Sequence, residues 1–241
     1  MVRLVQIMTT LISNLAQVHT RIAQACARAG RSSASVQLLA VSKTFGADAV
    51  RQAAAAGQRA FGENYVQEAL DKMAELDDLA DLQWHCIGPL QSNKTRPVAE
   101  HFDWVHSVDR LKIAQRLSEQ RPAHLPPLQV CLQINVDGGA NKAGALPAEA
   151  LALALAVAAL PRLQLRGVMS IPEPAIEYEA QCALHTRARA VFDQIKAAAD
   201  NGAAGLERFD TLSLGMTADL DAAIAAGSTI VRVGTGIFGG R

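Results

Sequence analysis

Short apolar runs alternate with helical segments eight times between residue 38 and the end of the chain, and this repetition limits the possible folds most. Strict alternation of strands and helices gives a parallel sheet. Eight such units in about 200 residues suit a closed barrel, so we predict a (β/α)8 TIM barrel. A doubly wound open sheet is the alternative, which the count of units disfavours. The predicted strands are residues 38–43, 59–64, 83–88, 104–108, 128–135, 163–170, 211–214 and 229–233.

An amphipathic helix is expected before the first strand. Apolar residues recur there at helical spacing, and Gly30 follows as a helix stop. Because no composition shift or linker marks a second domain, we expect one domain, with a helical lead-in over 1–35 and the barrel over 36–241. The apolar positions of the helix are Leu11, Leu15, Val18, Ile22 and Cys26.

Charge and cysteine content exclude several classes of partner. Lys plus Arg and Asp plus Glu number 23 each, so there is no net field to attract nucleic acid or an anionic membrane. The four cysteines form no Cys-x-x-Cys pair, as expected of a reduced protein. Residues 1–12 lack a signal-peptide pattern, and the apolar run 150–160 is too short to span a bilayer. We therefore expect a soluble, cytoplasmic protein. We further expect it to be a monomer.

The first strand ends on Lys43. Side chains alternate along a strand, so Leu39, Val41 and Lys43 share a face. The carboxyl ends of barrel strands form the ligand-binding side. An amine at the rim of an apolar interior is expected to lose hydration and to attack carbonyl groups, as a Schiff-base lysine does. A lysine that only extends to water is the alternative.

The loops after strands seven and eight are rich in glycine and hydroxyl residues, and these are the two loops with which TIM barrels often bind phosphate. Glycine lets backbone N–H groups approach phosphate oxygens. Tight turns without a ligand would give the same composition. The residues concerned are Ser213, Gly215, Met216 and Thr217 in one loop and Gly234, Thr235 and Gly236 in the other.

Arg232 is predicted to point into the barrel, because it shares a strand face with Ile230 and Gly234 while Val231 and Val233 face the helices. A guanidinium cannot lose its charge, so it needs an acceptor, either a core carboxylate or a ligand atom. The inward faces of strands five and seven are also predicted to be polar or small, with Gln129, Cys131, Gln133 and Asn135 on one and Thr211, Ser213 and Gly215 on the other.

A rim lysine, a phosphate site and an inward arginine together match pyridoxal 5′-phosphate (PLP). Its aldehyde would meet Lys43, its phosphate the last two loops, and its pyridine nitrogen Arg232. Two rival functions use the same features: a PLP-dependent racemase or decarboxylase, and a Schiff-base aldolase or phosphate-sugar isomerase.

Five motifs resemble the pyridoxal-phosphate homeostasis protein family, the single-domain relatives of the alanine racemase barrel (PLP fold type III). They are LAVSK at 39–43, FGENYVQE at 61–68, WHCIGPLQSNK at 84–94, LGMT at 214–217 and VRVGTGIFG at 231–239. The resemblance implies an aldimine with Lys43, Asn64 near the ring and Arg232 at the pyridine nitrogen. It also assigns Ser213, Met216, Thr217, Gly234 and Thr235 to the cofactor site.

The resemblance further implies a role in PLP homeostasis, in which the chain holds the cofactor and passes it to apo-PLP enzymes without strong turnover. Lys142 matches a family loop lysine proposed to help this transfer, although Asn141 precedes it where the family commonly has serine. A charged Arg232 discourages protonation of the ring nitrogen and weakens PLP as an electron sink. Racemases with such an arginine add a tyrosine base, whereas here Tyr65 is expected at a helix start and Tyr178 in a loop.

The histidines indicate no metal site. His85 is expected in the middle of a strand, and His101 and His106 on either side of the fourth strand, without the spacing of metal ligands. We predict that each is a satisfied core or surface residue.

Overall fold

Eight parallel strands close into a barrel. The computed structural model describes residues 2–139 and 142–240, and it describes side chains from residue 10 onward. Each strand pairs with its neighbours in sequence, and β1 closes the barrel on β8. The predicted (β/α)8 barrel is confirmed. The strands are β1 (Gln37–Val41), β2 (Ala60–Glu63), β3 (Gln83–Cys86), β4 (Trp104–Val108), β5 (Leu128–Gln133), β6 (Leu163–Met169), β7 (Thr211–Ser213) and β8 (Ile230–Val233).

Helices cover the outside of the barrel. Two of them follow directly on a short 3-10 turn: Ser92–Lys94 precedes the fourth helix, and Pro147–Glu149 precedes the sixth. The helices are α1 (Val2–Arg28), α2 (Ala47–Ala55), α3 (Val66–Glu75), α4 (Thr95–His101), α5 (Leu111–Gln120), α6 (Ala150–Ala158), α7 (Tyr178–Asp200), α8 (Leu220–Ala225) and α9 (Thr235–Phe238).

Alternation along the strands separates an inner from an outer core. Leu39 and Val41 belong to a small apolar cluster inside the barrel, whereas Leu38 and Ala40 belong to the large core beneath the helices. The apolar side chains of β5, β7 and β8 also pack in the outer core. The polar or small side chains that alternate with them therefore face the barrel interior, as predicted. These outward residues are Val130, Leu132 and Ile134, Leu212 and Leu214, and Val231 and Val233.

Two local predictions were wrong, and one short helix was missed. Tyr178 is the first residue of α7 and not part of the preceding loop, because the chain is held extended only as far as Glu177. His106 lies within β4 and not beside it. The helix α9 was not predicted, since four residues are too few to show a helical period.

The helix α1 packs on α8 and α9 and so lies behind the last strands of the barrel. Its buried stripe includes Val18 and Ile22, and the side chain of Asn14 donates to the carbonyl oxygen of Ile237 at 3.1 Å. The predicted N-terminal helix is confirmed, and it holds the segment that follows β8.

No helix within the described ranges is long and apolar enough to cross a membrane. Within the same ranges, no group of three or more His, Cys, Asp or Glu side chains could hold a metal ion.

Replacing Ile22 by alanine should destabilise the protein by about 2–5 kcal/mol, because the change leaves a cavity between α1 and the barrel. Ile22 is 4% exposed, whereas Ile12 on the same helix is 46% exposed, so Ile12→Ala is the matched control. Urea denaturation of both variants measures the difference, and equal losses would contradict the packing described for α1.

Candidate functional site

A cavity of about 310 Å3 opens at the carboxyl ends of the strands. Two of its lining residues, Lys43 and Arg232, are basic, and none of the described lining residues is acidic. The cavity therefore suits an anionic ligand. It is lined by Val41, Lys43, Asn64, Ile87, Ile171, Met216, Thr217, Ala218, Arg232, Gly234 and Thr235.

A larger groove of about 560 Å3 lies between α1, α8 and the start of α7. Its charged lining residues, Arg28 and Asp221, form an ion pair with each other, and alanine makes up much of the remaining wall. Because its charges are already paired, we place the functional site in the smaller cavity.

Lys43 stands in a tight turn directly after β1. The backbone N–H of Phe45 donates to the carbonyl oxygen of Ser42 at 3.0 Å, so Lys43 occupies the second of four turn residues. Lys43 is exposed, so the protein alone does not dehydrate the amine as the sequence suggested. The amine is instead accessible to an incoming carbonyl compound.

Asn64 follows β2 and lines the cavity. Its Oδ1 atom is buried and has no hydrogen-bond partner within the protein. A Cβ atom on Gly88 would lie 2.3 Å from the carbonyl oxygen of Asn64, so only glycine lets the end of β3 come this close. The close approach of the two strand ends thus fixes Asn64 at the edge of the cavity, with its side-chain oxygen buried and unpaired.

The loops after β7 and β8 meet at the cavity. The Thr235 hydroxyl donates to the Thr217 hydroxyl at 3.3 Å, which joins the two loops. Gly215 has a φ of +83°, a left-handed conformation in which a side chain would also meet Ala223. The arrangement presents hydroxyl groups from both loops to one side of the cavity.

The loop after β7 is held from the outside by a carboxylate. Asp219 accepts from the backbone N–H of Met216 at 2.6 Å and contacts Nε2 of the buried His185 at 2.9 Å. Arg21 of α1 donates to the carbonyl oxygen of Thr217 at 2.6 Å. These bonds fix the loop before any ligand arrives.

Arg232 is 3% exposed and reaches into the barrel beneath the cavity. Its Nη1 atom donates to the carbonyl oxygen of Ser213 at 2.5 Å and to the Ser213 hydroxyl at 2.8 Å, and its Nη2 atom donates to the carbonyl oxygen of Ser170 at 2.8 Å. Burial lowers the pKa of Arg232 to about 10, so the guanidinium stays charged at neutral pH. None of these described acceptors is a carboxylate, and the core ion pair considered from the sequence is not found.

Two buried histidines extend this arrangement and were not foreseen as a unit. His106 Nδ1 lies 2.8 Å from the Ser213 hydroxyl, and His106 Nε2 lies 2.9 Å from His85 Nδ1. Burial lowers the pKa of His85 to about 3 and that of His106 well below its usual value. Both rings are therefore neutral, and the Ser213 hydroxyl links them to Arg232. Strand alternation could have indicated this, since His85 shares an inward face with Ile87.

The structure brings most of the predicted site residues together. Ser213 does not line the cavity, because its buried hydroxyl serves Arg232 and His106. Lys142 pairs with Asp137 at 2.7 Å and Glu173 at 2.9 Å, away from the cavity lining, and Asn141 lies outside the described residues. The predicted residues that do line the cavity are Lys43, Asn64, Met216, Thr217, Arg232, Gly234 and Thr235.

Comparison with known proteins identifies the family. The family described as alanine racemase, N-terminal domain, matches residues 13–241. The pyridoxal phosphate homeostasis protein of Pseudomonas aeruginosa is 60% identical over 234 residues, covering 97% of both chains. That of Escherichia coli is 53% identical over 236 residues, covering 97% of this chain and 98% of the other.

Solved structures agree. PipY of Synechococcus elongatus with PLP bound is 40% identical, with a TM-score of 0.81, and covers 95% of this chain and 100% of its own. Alanine racemase from Corynebacterium glutamicum is 18% identical, with a TM-score of 0.67, over 97% of this chain and 62% of its own, and shares the fold. The chain belongs to the family of pyridoxal phosphate homeostasis proteins, whose barrel is that of the alanine racemase N-terminal domain. The resemblance seen in the motifs is confirmed.

The neutral histidines predict an acid-sensitive fold. Because the pKa of His85 is about 3 in the folded state and about 6.5 in the unfolded state, only the unfolded chain takes up a proton between these values. Stability should therefore fall as the pH falls below about 6.5, by up to about 1.4 kcal/mol per pH unit for each of His85 and His106.

His106→Gln should reduce this pH slope, measured by urea denaturation between neutral and mildly acidic pH. His124 is exposed, so His124→Gln is the control and should follow the unmodified protein. An unchanged slope in His106→Gln would contradict the burial of a neutral ring at this position.

Proposed function

We propose that this protein binds PLP in the cavity at the carboxyl ends of the strands and takes part in intracellular PLP homeostasis. The observation that carries the proposal is the convergence of Lys43, Arg232 and the paired hydroxyls of Thr217 and Thr235 on one cavity. The relatives are named for PLP homeostasis, and PipY has been solved with PLP bound.

The residues present fit the cofactor. Small-molecule sites measure roughly 300–1,000 Å3, and this cavity, at about 310 Å3, is at the small end of that range. PLP carries a phosphate, which matches a cavity with two basic lining residues and no described acidic one. Asn64 and Arg232 are the polar lining residues that would face the ring, and Val41 and Ile87 are apolar ones.

We propose that Lys43 holds the cofactor covalently. Its amine would attack the aldehyde carbon of PLP, form a carbon–nitrogen double bond and release the aldehyde oxygen as water, without any oxidant or reductant. The exposure of Lys43 supports this role, because the amine can meet the aldehyde without an opening motion. The same exposure favours release and transfer of the cofactor to apo-PLP enzymes. Lys142 remains a proposed participant in that transfer.

Weak turnover follows from the charge of Arg232. When bound, PLP supplies an electron sink, which works best with a protonated ring nitrogen. A charged guanidinium beside that nitrogen opposes its protonation. Tyr65 and Tyr178 are absent from the cavity lining, so neither is positioned as a second base. The relatives are likewise named as homeostasis proteins and not as enzymes.

We further propose that the protein works as a monomer in the cytoplasm, with the barrel as a single binding unit. Its four cysteines are free thiols, which suits a reducing compartment.

Borohydride reduction should fix PLP to Lys43. The unmodified protein should show a visible absorbance band with PLP, and peptide mapping after reduction should find the label on Lys43. Lys43→Ala should lose the band, whereas Lys94→Ala should keep it, because Lys94 is exposed but does not line the cavity. A label found only on another lysine would refute the assignment.

The phosphate should contribute much of the affinity. A charge-assisted hydrogen bond is worth about 1.5–3 kcal/mol, so Thr235→Ala should weaken PLP binding by roughly tenfold to a hundredfold. Pyridoxal, which lacks the phosphate, should bind more weakly than PLP and respond little to the substitution. Thr186→Ala, on the exposed side of α7, is the control. Equal affinity for pyridoxal and PLP would contradict the proposed phosphate site.

A further inference from the structure

A buried cluster of charges lies directly beneath the turn that carries Lys43. Glu63 at the end of β2 and Lys72 on α3 form an ion pair of 2.7 Å, with side chains 0% and 5% exposed. Lys72 also contacts Glu68 Oε1 at 2.7 Å. None of these three residues lines the cofactor cavity, so the cluster cannot act on a ligand directly.

The cluster holds both neighbours of Lys43. The Ser42 hydroxyl donates to Glu63 Oε1 at 2.6 Å, and the Ser42 carbonyl oxygen accepts from Lys72 Nζ at 2.7 Å. On the other side, the Thr44 backbone N–H donates to Glu68 Oε1 at 2.5 Å. The backbone is thus bonded to charged side chains immediately before and immediately after the lysine.

Thr44 is strained. Its φ of +69° lies in the left-handed region, which glycine adopts readily and a β-branched residue rarely does. Such a conformation persists only where the surroundings enforce it. Within the described contacts of this turn, the carboxylate of Glu68 is the acceptor of the Thr44 N–H and so is the group that can enforce it.

Stability alone does not account for the cluster. Burying a carboxylate and an ammonium group is costly, and an apolar replacement of a buried ion pair is often neutral or stabilising. Burial raises the pKa of Glu63, and this effect outweighs the hydrogen bonds from Lys72 and Ser42, which lower it. The Glu63 Oε2 atom has no hydrogen-bond partner. The cluster does, however, fix the backbone conformation on both sides of Lys43 through Ser42 and Thr44.

We propose that Glu63, Lys72 and Glu68 are positioning residues that hold the Lys43 turn in its strained conformation and so aim the amine at the cavity. This inference rests on the proposed attachment of PLP to Lys43. The cluster acts through Ser42 and Thr44 and raises the rate and the equilibrium constant of attachment by keeping the lysine in place before the cofactor arrives.

The primary test is Glu68→Ala, which removes the acceptor of the Thr44 N–H. Glu68 is 30% exposed on its side chain, so the fold should tolerate the change. Attachment of PLP, followed by visible absorbance, should weaken about tenfold, which is what the loss of one charge-assisted hydrogen bond produces. Glu68→Gln keeps an oxygen acceptor and should recover part of the loss.

The matched control is Glu100→Ala. Glu100 forms an i,i+4 pair with Arg96 on α4, as Glu68 does with Lys72 on α3, but it touches no residue of the Lys43 turn. Its removal should leave attachment unchanged. The urea unfolding free energy of each cofactor-free variant shows whether a loss of attachment merely follows a loss of stability.

Thr44→Gly distinguishes positioning from general support. Glycine adopts the positive φ without strain, so the turn no longer needs the Glu68 carboxylate. The tenfold effect of Glu68→Ala should therefore shrink to about twofold or less when it is combined with Thr44→Gly. A merely structural role of the Glu68–Lys72 pair would be insensitive to the residue at position 44.

The outcomes separate this inference from the proposed function. If the unmodified protein attaches PLP at Lys43 but Glu68→Ala attaches it equally well, the positioning role is wrong and the function stands. The role is also wrong if Glu68→Ala loses the same affinity with and without Thr44→Gly. If the unmodified protein does not attach PLP at Lys43, the proposed function fails and the inference fails with it.

Discussion

The site depends on the buried charge of Arg232, whose hydrogen-bond acceptors are carbonyl and hydroxyl oxygens and not a carboxylate. Arg232 donates to the carbonyl oxygens of Ser170 and Ser213 and to a hydroxyl, so its positive charge is hydrogen-bonded but not neutralised by these partners. A buried guanidinium keeps its proton, and here its pKa remains near 10. The barrel must therefore orient neutral dipoles towards it, and the space above it favours an anionic or lone-pair ligand.

This requirement explains the polar interior. The Ser213 hydroxyl joins Arg232 to His106, and His106 joins it to His85, so four strands, β3, β4, β7 and β8, contribute to one hydrogen-bonded unit. Burial keeps both rings neutral, which avoids adding charge beside the arginine. The apolar cluster that includes Leu39 and Ile230 fills part of the remaining interior. The interior is thus divided between a small apolar cluster and a polar unit that lies beneath the cavity.

The lysine and the arginine are held by different means. Arg232 is fixed by its own hydrogen bonds within the barrel, whereas Lys43 is exposed and is fixed through its backbone neighbours, Ser42 and Thr44. This division has a chemical reason. In the proposed function Lys43 bonds reversibly to PLP and releases it, and a lysine with that role needs access to solvent and to partners, so its side chain cannot be buried in a network.

The sequence by itself determined the barrel, the inward direction of Arg232 and most of the cavity lining, because period-two alternation and strand–helix order are local properties of the chain. Ser213 was assigned to the phosphate from its position in the loop, but only the tertiary structure could show that Arg232 and His106 use its hydroxyl. The charged cluster of Glu63, Glu68 and Lys72 was equally hidden. Its members lie on β2 and α3 and meet the Lys43 turn only when the barrel forms, since hydrogen bonds between distant segments leave no periodic trace in the sequence.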